Sequence, residues 1–349
     1  MTKVTRFFIG VDLHKTVIQI CVLGRTGDIV EEARHLAYNL DEGHAVIAGL
    51  KKYRRSGRVC VESVGVNRWF VNHLIEDGFD VVVCDPVKLN LRMLGSKTDR
   101  KDALEIARRL QLGDIDRNAL TFYPSDELYG KRKLLRTRHS LMQMRQQVIN
   151  QIRSCLNAYK ITGFGVELTS KASIAHLKSL SWSSSELKIV VDTLVQTMVR
   201  LGESIEVLQK EILQMTKEPL TKAIKEALPQ VGPLTANVLV HELGDVSRFR
   251  NTRAVAKYAG LVPRVTQSAD KSHHGRLTKR GNRELRYILV EWAMRMIRYN
   301  EQAQKWAAPM LKRMNKHKVR IALARRLLIG FYKMLQTGEV FSVERCLGQ

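Results

Sequence analysis

Apolar and polar positions change their rhythm twice along this 349-residue chain. Near the N-terminus three short runs rich in β-branched and aromatic residues, Phe7 to Asp12, Val17 to Leu23 and Ile29 to His35, are joined by turn-like segments, Leu13 to Thr16 and Gly24 to Asp28. This pattern predicts an antiparallel meander. A helical stretch follows from about Asp41 to Tyr53, then a strand Val59 to Glu62, a helix near Trp69 to Asp77 and an apolar strand Val81 to Cys84. Ala103, Ile106, Ala107 and Leu110 form the apolar stripe of one more helix.

The rhythm then becomes purely helical. Leu128, Leu135, Met142, Ile149 and Leu156 repeat every seven residues, with Leu134, Leu141, Val148 and Cys155 as a second column beside them. Leu187, Val191, Leu194, Met198, Leu201, Ile205, Leu208, Ile212 and Met215 alternate steps of four and three. Such spacings predict a long antiparallel coiled-coil arm, closed as a hairpin or across a dimer, with Gly163 to Ser185 as its turn. From Pro219 onward a mostly helical domain is expected, closed by helices from Arg283 to Tyr299 and from Val319 to Gln336. Within it Leu228-Pro229-Gln230-Val231-Gly232-Pro233-Leu234-Thr235-Ala236 looks like a helix-hairpin-helix element, although the usual hairpin has Gly where this one has Gln230. The backbone amides of such an element can hold a DNA phosphate. The expected domains are residues 1–125 (α/β), 126–217 (arm) and 218–349 (α).

Charge narrows the partner. With 58 Lys and Arg against 34 Asp and Glu the formal net charge is +24, and a polyanion is the simplest reason for a fold to tolerate that self-repulsion. The N-terminal residues are too short and polar for a signal peptide and no apolar run reaches a membrane-spanning length, so a cytoplasmic protein with no membrane partner is expected. Five scattered cysteines show no zinc or redox spacing. Cys21, Cys60 and Cys84 fall in strand-like runs and read as reduced core residues.

Against this basic background four acids stand out. Asp12 and Glu62 end apolar strands, and Asp99 and Asp102, three apart at the start of a helix, share one face. Singly each has an ordinary explanation, Asp99 as an N-cap with Asp102 at the third position. Together they suit a hard divalent cation, which wants several oxygen ligands and can clamp a phosphodiester. The element order β-β-β-α-β-α-β-α is that expected of a ribonuclease H-like fold, in which acids at strand ends and on a late helix converge on metal ions.

Ile9-Gly10-Val11-Asp12-Leu13-His14-Lys15, Val61-Glu62-Ser63 and Lys97-Thr98-Asp99-Arg100-Lys101-Asp102-Ala103 resemble the DEDD domain of the insertion-sequence "one-ten" transposases and their "eleven-eleven" subgroup. Downstream, Tyr258-Ala259-Gly260-Leu261-Val262-Pro263, Gln267-Ser268 and His274-Gly275-Arg276-Leu277-Thr278-Lys279-Arg280-Gly281-Asn282 are similar to the second domain of that family. The resemblance covers nearly the whole chain. It implies a RuvC-like domain whose Asp12, Glu62, Asp99 and Asp102 bind Mg²⁺, with Mn²⁺ as the alternative, and a serine recombinase directed by a structured non-coding guide RNA. It further implies that Ser268 attacks double-stranded donor and target DNA to form a covalent phosphoserine, within a homo-oligomer, a dimer or a synaptic tetramer. The family usually follows this serine with Gly, and here Ala269 follows. Ser272 is the second choice of nucleophile.

Lys131, Arg132, Lys133, Arg136 and Arg138 on the first arm helix, and Arg276, Lys279 and Arg280 beside the serine, are expected to follow phosphates, with affinity that falls steeply with salt. Pairing with a guide would leave the protein to read shape and backbone. A hydrolytic RuvC-like nuclease, a DNA invertase of the same family and a non-catalytic scaffold are the rival readings.

Overall fold

The structure, a computed structural model, describes residues 5–89, 98–162, 164, 167–268, 271–277 and 281–348, the segments 263–268 and 271–277 by their backbone. It divides into two compact units, Met1–Pro124 and Ser125–Gln349.

Unit 1 is an α/β layer fold. Its strands are β1 (Phe7–Leu13), β2 (Val17–Leu23), β3 (Ile29–Leu36), β4 (Gly57–Glu62), β5 (Asp80–Cys84) and the short β6 (Leu120–Thr121), in spatial order β3-β2-β1-β4-β5-β6. The first three strands pair antiparallel, and β1, β4 and β5 run parallel. This mixed order is that of the ribonuclease H-like fold. Strand alternation decides what each face carries. Ile9, Val11, Leu13, Val59 and Val61 pack with α1 (Leu40–Leu50) and α2 (Arg68–Glu76) on one face. Phe8, Cys21, Leu23 and Cys60 face α3 (Asp99–Gln111) on the other, meeting Ala103, Ile106, Ala107 and Leu110.

Helix α3 sits unusually close to β1. A Cβ built on Gly10 would lie 2.1 Å from the carbonyl oxygen of Ala103 and 2.5 Å from the amide nitrogen of Ala107. The helix therefore rests on strand backbone, and the small residues Ala103 and Ala107 allow the approach.

Unit 2 is helical apart from one hairpin. Helices α4 (Asp126–Ala158) and α6 (Ser185–Met215) pack along each other, with Arg138 beside Gln209, Arg145 beside Gly202, and Ile152 and Leu156 among Val191, Val195 and Met198, so they run antiparallel. The packed stripe departs from the expected heptad columns. Met142 is 40% exposed, while Ile152, in neither column, is fully buried. Ile152 continues the seven-residue series Arg138, Arg145, Ile152, all of which meet α6, so the seam runs through a column whose earlier members are charged and which a count of apolar residues passes over. The connecting stretch contains a short helix, α5 (Lys171–Ser179), whose Leu177 joins the same apolar cluster.

The remaining helices are α7 (Pro219–Ala227), α8 (Pro233–Leu243), α9 (Thr252–Tyr258), α10 (Arg283–Tyr299), α11 (Glu301–Leu311), α12 (Lys316–Thr337) and α13 (Val343–Leu347). They enclose a core around Trp292, Phe331 and Tyr332. The turn between α7 and α8 is the expected hairpin, and Gln230 there has φ +59°. This left-handed backbone is why glycine is the usual occupant, and a side-chain-bearing residue costs about 1–2 kcal/mol in it. The indole of Trp292 donates to the carbonyl of Pro229 at 2.8 Å and secures the turn.

One segment differs from expectation. The polar stretch around Ser268, to which the apolar pattern assigns no element, is an antiparallel hairpin of β7 (Pro263–Ser268) and β8 (Lys271–Leu277). Its sequence lacks a period-two apolar alternation, which is why the apolar pattern alone did not mark it as strand.

Candidate functional site

The register of unit 1 decides where the acids go. Asp12 follows Val11, which pairs with Val61 in the parallel β1–β4 ladder, so Asp12 and Glu62 are neighbours at the ends of adjacent strands. Both share the parity of the residues facing α3. The first turn of α3 brings Asp99 and Asp102 to the same place. Thr98, not Asp99, caps that helix, its hydroxyl accepting from the amide of Lys101 at 3.4 Å. Capping by the threonine leaves the Asp99 carboxylate to face β1.

The four acids act on one another. Asp12 is buried, and burial is the largest influence holding its carboxyl above the ordinary range. His14 works against that rise, a hydrogen bond with Glu62 lowers it, and the charges of Asp99 and Asp102 raise it further. Two carboxylates in hydrogen-bond contact must share a proton unless a cation lies between them. His14 Nε2 lies 3.4 Å from Asp12 Oδ2 and 3.4 Å from Asp99 Oδ1. Ligand atoms of Asp12, His14 and Asp99 fall within 4.8 Å of one another.

This donor set fits a hard divalent cation: several carboxylate oxygens, one of them on a buried residue whose ionised form the apo fold disfavours. His14 was not singled out from the sequence as a site residue. Its signal was its place two residues after Asp12 at the end of β1, the spacing that returns a side chain to the same face. Gln19 is the neighbour of Asp12 on the adjoining strand. It pairs with Asp12 across the β1–β2 ladder and is buried, and an amide inside the apolar run Val17-Ile18-Gln19-Ile20-Cys21 was its mark.

In unit 2 Ser268 ends β7 and pairs with Lys271, the first residue of β8, so it stands at the tip of the hairpin. Ser272 pairs with Gln267 and Arg276 lies on β8. Lys279 and Arg280 lie outside the described residues.

The basic residues of α4 divide by environment. Arg132 is buried, and its guanidinium donates to the carbonyls of His241 and Glu242 at 2.7 and 3.1 Å, at the C-terminal end of α8. Arg136 makes a two-pronged pair with Glu242 at 2.7 Å each, and Lys131 pairs with Glu127 and Glu218. These three tie α4 to the helices beside it. Arg138 donates to Gln209 at 2.7 Å, burial lowers its pKa, and it lines a cavity of about 390 Å³ with Arg295, Thr235 and Gly232 at the start of α8. Lys133 is exposed beside the Tyr129 ring.

Fold and acids together define a class: an α/β DEDD domain of the kind that cleaves and joins DNA. Residues 9–161 match the family model of the IS110-type DEDD domain, described as a transposase. Residues 224–307 match the model described as the transposase of the IS116/IS110/IS902 family. Both models describe transposases of the IS110/IS116 type, one matching in the N-terminal half of the chain and the other in the C-terminal half.

The chain is similar to the transposase for insertion sequence element IS1111A of Coxiella burnetii, at 25% identity over 345 residues covering 95% of this chain and 90% of that one. The probable family 20 transposase of Pseudomonas aeruginosa is 23% identical over 332 residues, 91% and 93% of the two chains. The transposase for insertion sequence element IS1328 of Yersinia enterocolitica is 26% identical over 297 residues, 81% and 85%. Among the described residues no helix is long and apolar enough to cross a membrane.

Proposed function

We propose that this protein is a transposase, a Mg²⁺-dependent, RNA-guided recombinase that cleaves and joins donor and target DNA through a phosphoserine at Ser268. The observation that carries the metal-dependent part is the convergence of Asp12, Glu62, Asp99 and Asp102 on one end of the α3 face, with Asp12 buried among like charges. Mg²⁺ held there, or Mn²⁺ in its place, would neutralise charge on a phosphate oxygen and ease ionisation of a hydroxyl. His14, between Asp12 and Asp99, orients both carboxylates.

A serine hydroxyl is a weak nucleophile at neutral pH and needs such help. As its Oγ–phosphorus bond forms, a bond from phosphorus to a sugar oxygen breaks, and the serine proton ends on the released sugar hydroxyl. Attack by the hydroxyl of a second DNA strand reverses the step and returns the proton to serine. The number of phosphodiester bonds is conserved, so joining needs no added energy source. The assignment is supported by the place of Ser268 at the end of β7, where its strand pairing with β8 finishes.

The net charge of +24 supports a double load of DNA and guide RNA, and the paired α4 and α6 supply a surface for a homo-oligomer.

The decisive experiment traps the protein on a nicked DNA duplex in Mg²⁺. Ser268→Ala is expected to lose the covalent adduct while DNA and RNA binding persist. An adduct that survives this change sinks the nucleophile assignment, and cleavage without any adduct in the parent protein marks a hydrolytic nuclease. Sequencing RNA that copurifies with the protein tests guidance: recurrent, structured RNA from one locus is expected, and full activity after complete RNA removal overturns it.

A further inference from the structure

One buried carboxylate in unit 2 has no part in the function proposed so far. Glu242, in the last turn of α8, has a side chain with 0% exposure. A charge in such a place survives only when its oxygens are matched by donors. Arg136 supplies Nε to Oε1 and Nη2 to Oε2, each at 2.7 Å. Asn282 supplies the third bond, Nδ2 to Oε2 at 2.6 Å. The backbone carbonyl of the same residue accepts from Tyr258 Oη at 3.0 Å and from Arg132 Nη2 at 3.1 Å.

Tyr258 and Asn282 are the residues between which the hairpin leaves the helical core. Tyr258 ends α9, five residues before β7 begins, and Asn282 caps α10, five residues after β8 ends. The two stems are also closed on each other. The amide of Asn282 donates to the carbonyl of Tyr258 at 2.7 Å, and the amide side chain of Asn282 reaches Tyr258 Oη at 3.3 Å. Gly281, at φ +110°, has no room for a Cβ, which would lie 2.5 Å from the Tyr258 carbonyl oxygen and 2.9 Å from the Gly260 amide. The neck is thus as narrow as backbone permits. A two-stranded hairpin is marginal by itself, so its direction is set where it is rooted.

We propose that Glu242 is a positioning residue for the serine hairpin: through Arg136 it is fixed to α4, and through Tyr258 and Asn282 it holds both stems of β7 and β8, so that it sets where Ser268 points. The proposal rests on Ser268 as the nucleophile for its catalytic consequence and on the neck alone for its structural one. A displacement of about 1 Å at a reacting group costs up to about 100-fold in rate, which sets the size of effect to look for.

The test compares Glu242→Gln and Asn282→Ser in the full chain. Serine keeps the cap on α10 but loses the amide that reaches Glu242, so this variant spares the fold even if Glu242→Gln, which leaves Arg136 poorly paired, does not. Two readouts are taken: hydrogen exchange of amides in 263–268 and 271–277, and the single-turnover rate of adduct formation against DNA concentration. We expect faster exchange confined to the hairpin, an adduct rate at saturating DNA reduced about 10- to 100-fold, and an unchanged half-saturating DNA concentration. Asn282→Gln, which retains an amide, is expected to recover part of the rate. Parental exchange and parental rate in a folded Asn282→Ser variant overturn the proposal, as does a loss confined to DNA affinity. If Ser268→Ala retains the adduct, the nucleophile reading fails separately, and hairpin exchange still decides whether Glu242 holds the neck.

Discussion

In unit 1 the candidate ligands stand at the ends of central strands and on a helix pressed against strand backbone, whereas in unit 2 the candidate nucleophile stands at the tip of a two-stranded hairpin. The first arrangement is fixed by burial on both faces of a six-stranded sheet. The second is fixed by a few hydrogen bonds at its root. Moving an acid out of place means deforming a core. Moving the hairpin means breaking polar contacts worth about 0.5–1.5 kcal/mol each, somewhat more where a charge takes part. A metal centre works only within narrow distances, and a residue carried on a hairpin keeps its position only as long as the contacts at the root of that hairpin hold. The difference teaches where each unit tolerates change.

The largest effect should come from the buried acid. Asp12→Ala is expected to reduce cleavage at least about 10³-fold in saturating Mg²⁺, measured on supercoiled DNA, with DNA affinity unchanged; ordinary cleavage by this variant would remove the acid cluster from the chemistry. The same residue makes a stability prediction of opposite sign. Because burial and neighbouring acids raise its folded pKa, its favourable contribution is present below the unfolded carboxylate pKa and lost as pH rises through the folded value. At neutral pH without divalent metal the ionised group is a cost. Asp12→Asn should therefore melt higher in EDTA, by roughly 2–4 °C per kcal/mol recovered, and the gap should close as pH falls toward the carboxylate range. A variant that melts lower than its parent at neutral pH would show that the acids are already compensated.

Next comes Gly10→Ala. Forcing a methyl group against the α3 backbone should cost about 1–3 kcal/mol and lower cleavage more than melting alone explains, as measured by chemical denaturation beside activity in a condition where both proteins are folded. Equal stability with full activity would mean that the helix can retreat freely, which contradicts the rigid half of the comparison. Salt should act more gently and on binding only: the logarithm of DNA affinity should fall linearly with the logarithm of salt, and Lys133→Ala should shallow that slope where Arg132→Ala instead destabilises the fold, because Arg132 is spent on α8 carbonyls. The smallest change is Gln230→Gly, which relieves a left-handed backbone and should leave stability equal or up to about 1 kcal/mol higher.

What the sequence disclosed follows the same division. Strands β1, β2, β4 and β5 were legible to within two residues because burial on two faces writes near-continuous apolar runs; Asp12 and Glu62 stood out because each ends such a run, and Asp99 and Asp102 because they stand one helical turn apart ahead of the α3 stripe. The stripe of α3 also declared itself. The identity of its cap did not, since Thr98 and Asp99 are both good caps and only the backbone tells which is used. β6 spans two residues, Leu120 and Thr121, and is too short to carry a period. The serine hairpin was hidden because its polar strands look like a loop. The heptad columns misplaced part of the α4 seam, for the column that meets α6 through Arg138, Arg145 and Ile152 carries charge at its first two places and so gave no apolar signal. Glu242 and Arg136 gave no sign of their pairing, being 106 positions apart.

The contact at Gly10 carries one more consequence, for the kind of ion the protein accepts. Because α3 lies directly on strand backbone there, the separation between Asp12 and the acids on the helix has no compressible side chain to adjust it. Mg²⁺ takes its oxygens at about 2.0–2.1 Å and Ca²⁺ at about 2.3–2.6 Å, a difference smaller than the width of a methyl group. With a divalent cation held there, discrimination between the two would be decided in part at a residue that offers no ligand atom, the glycine two positions before Asp12 acting as a gauge for ionic radius.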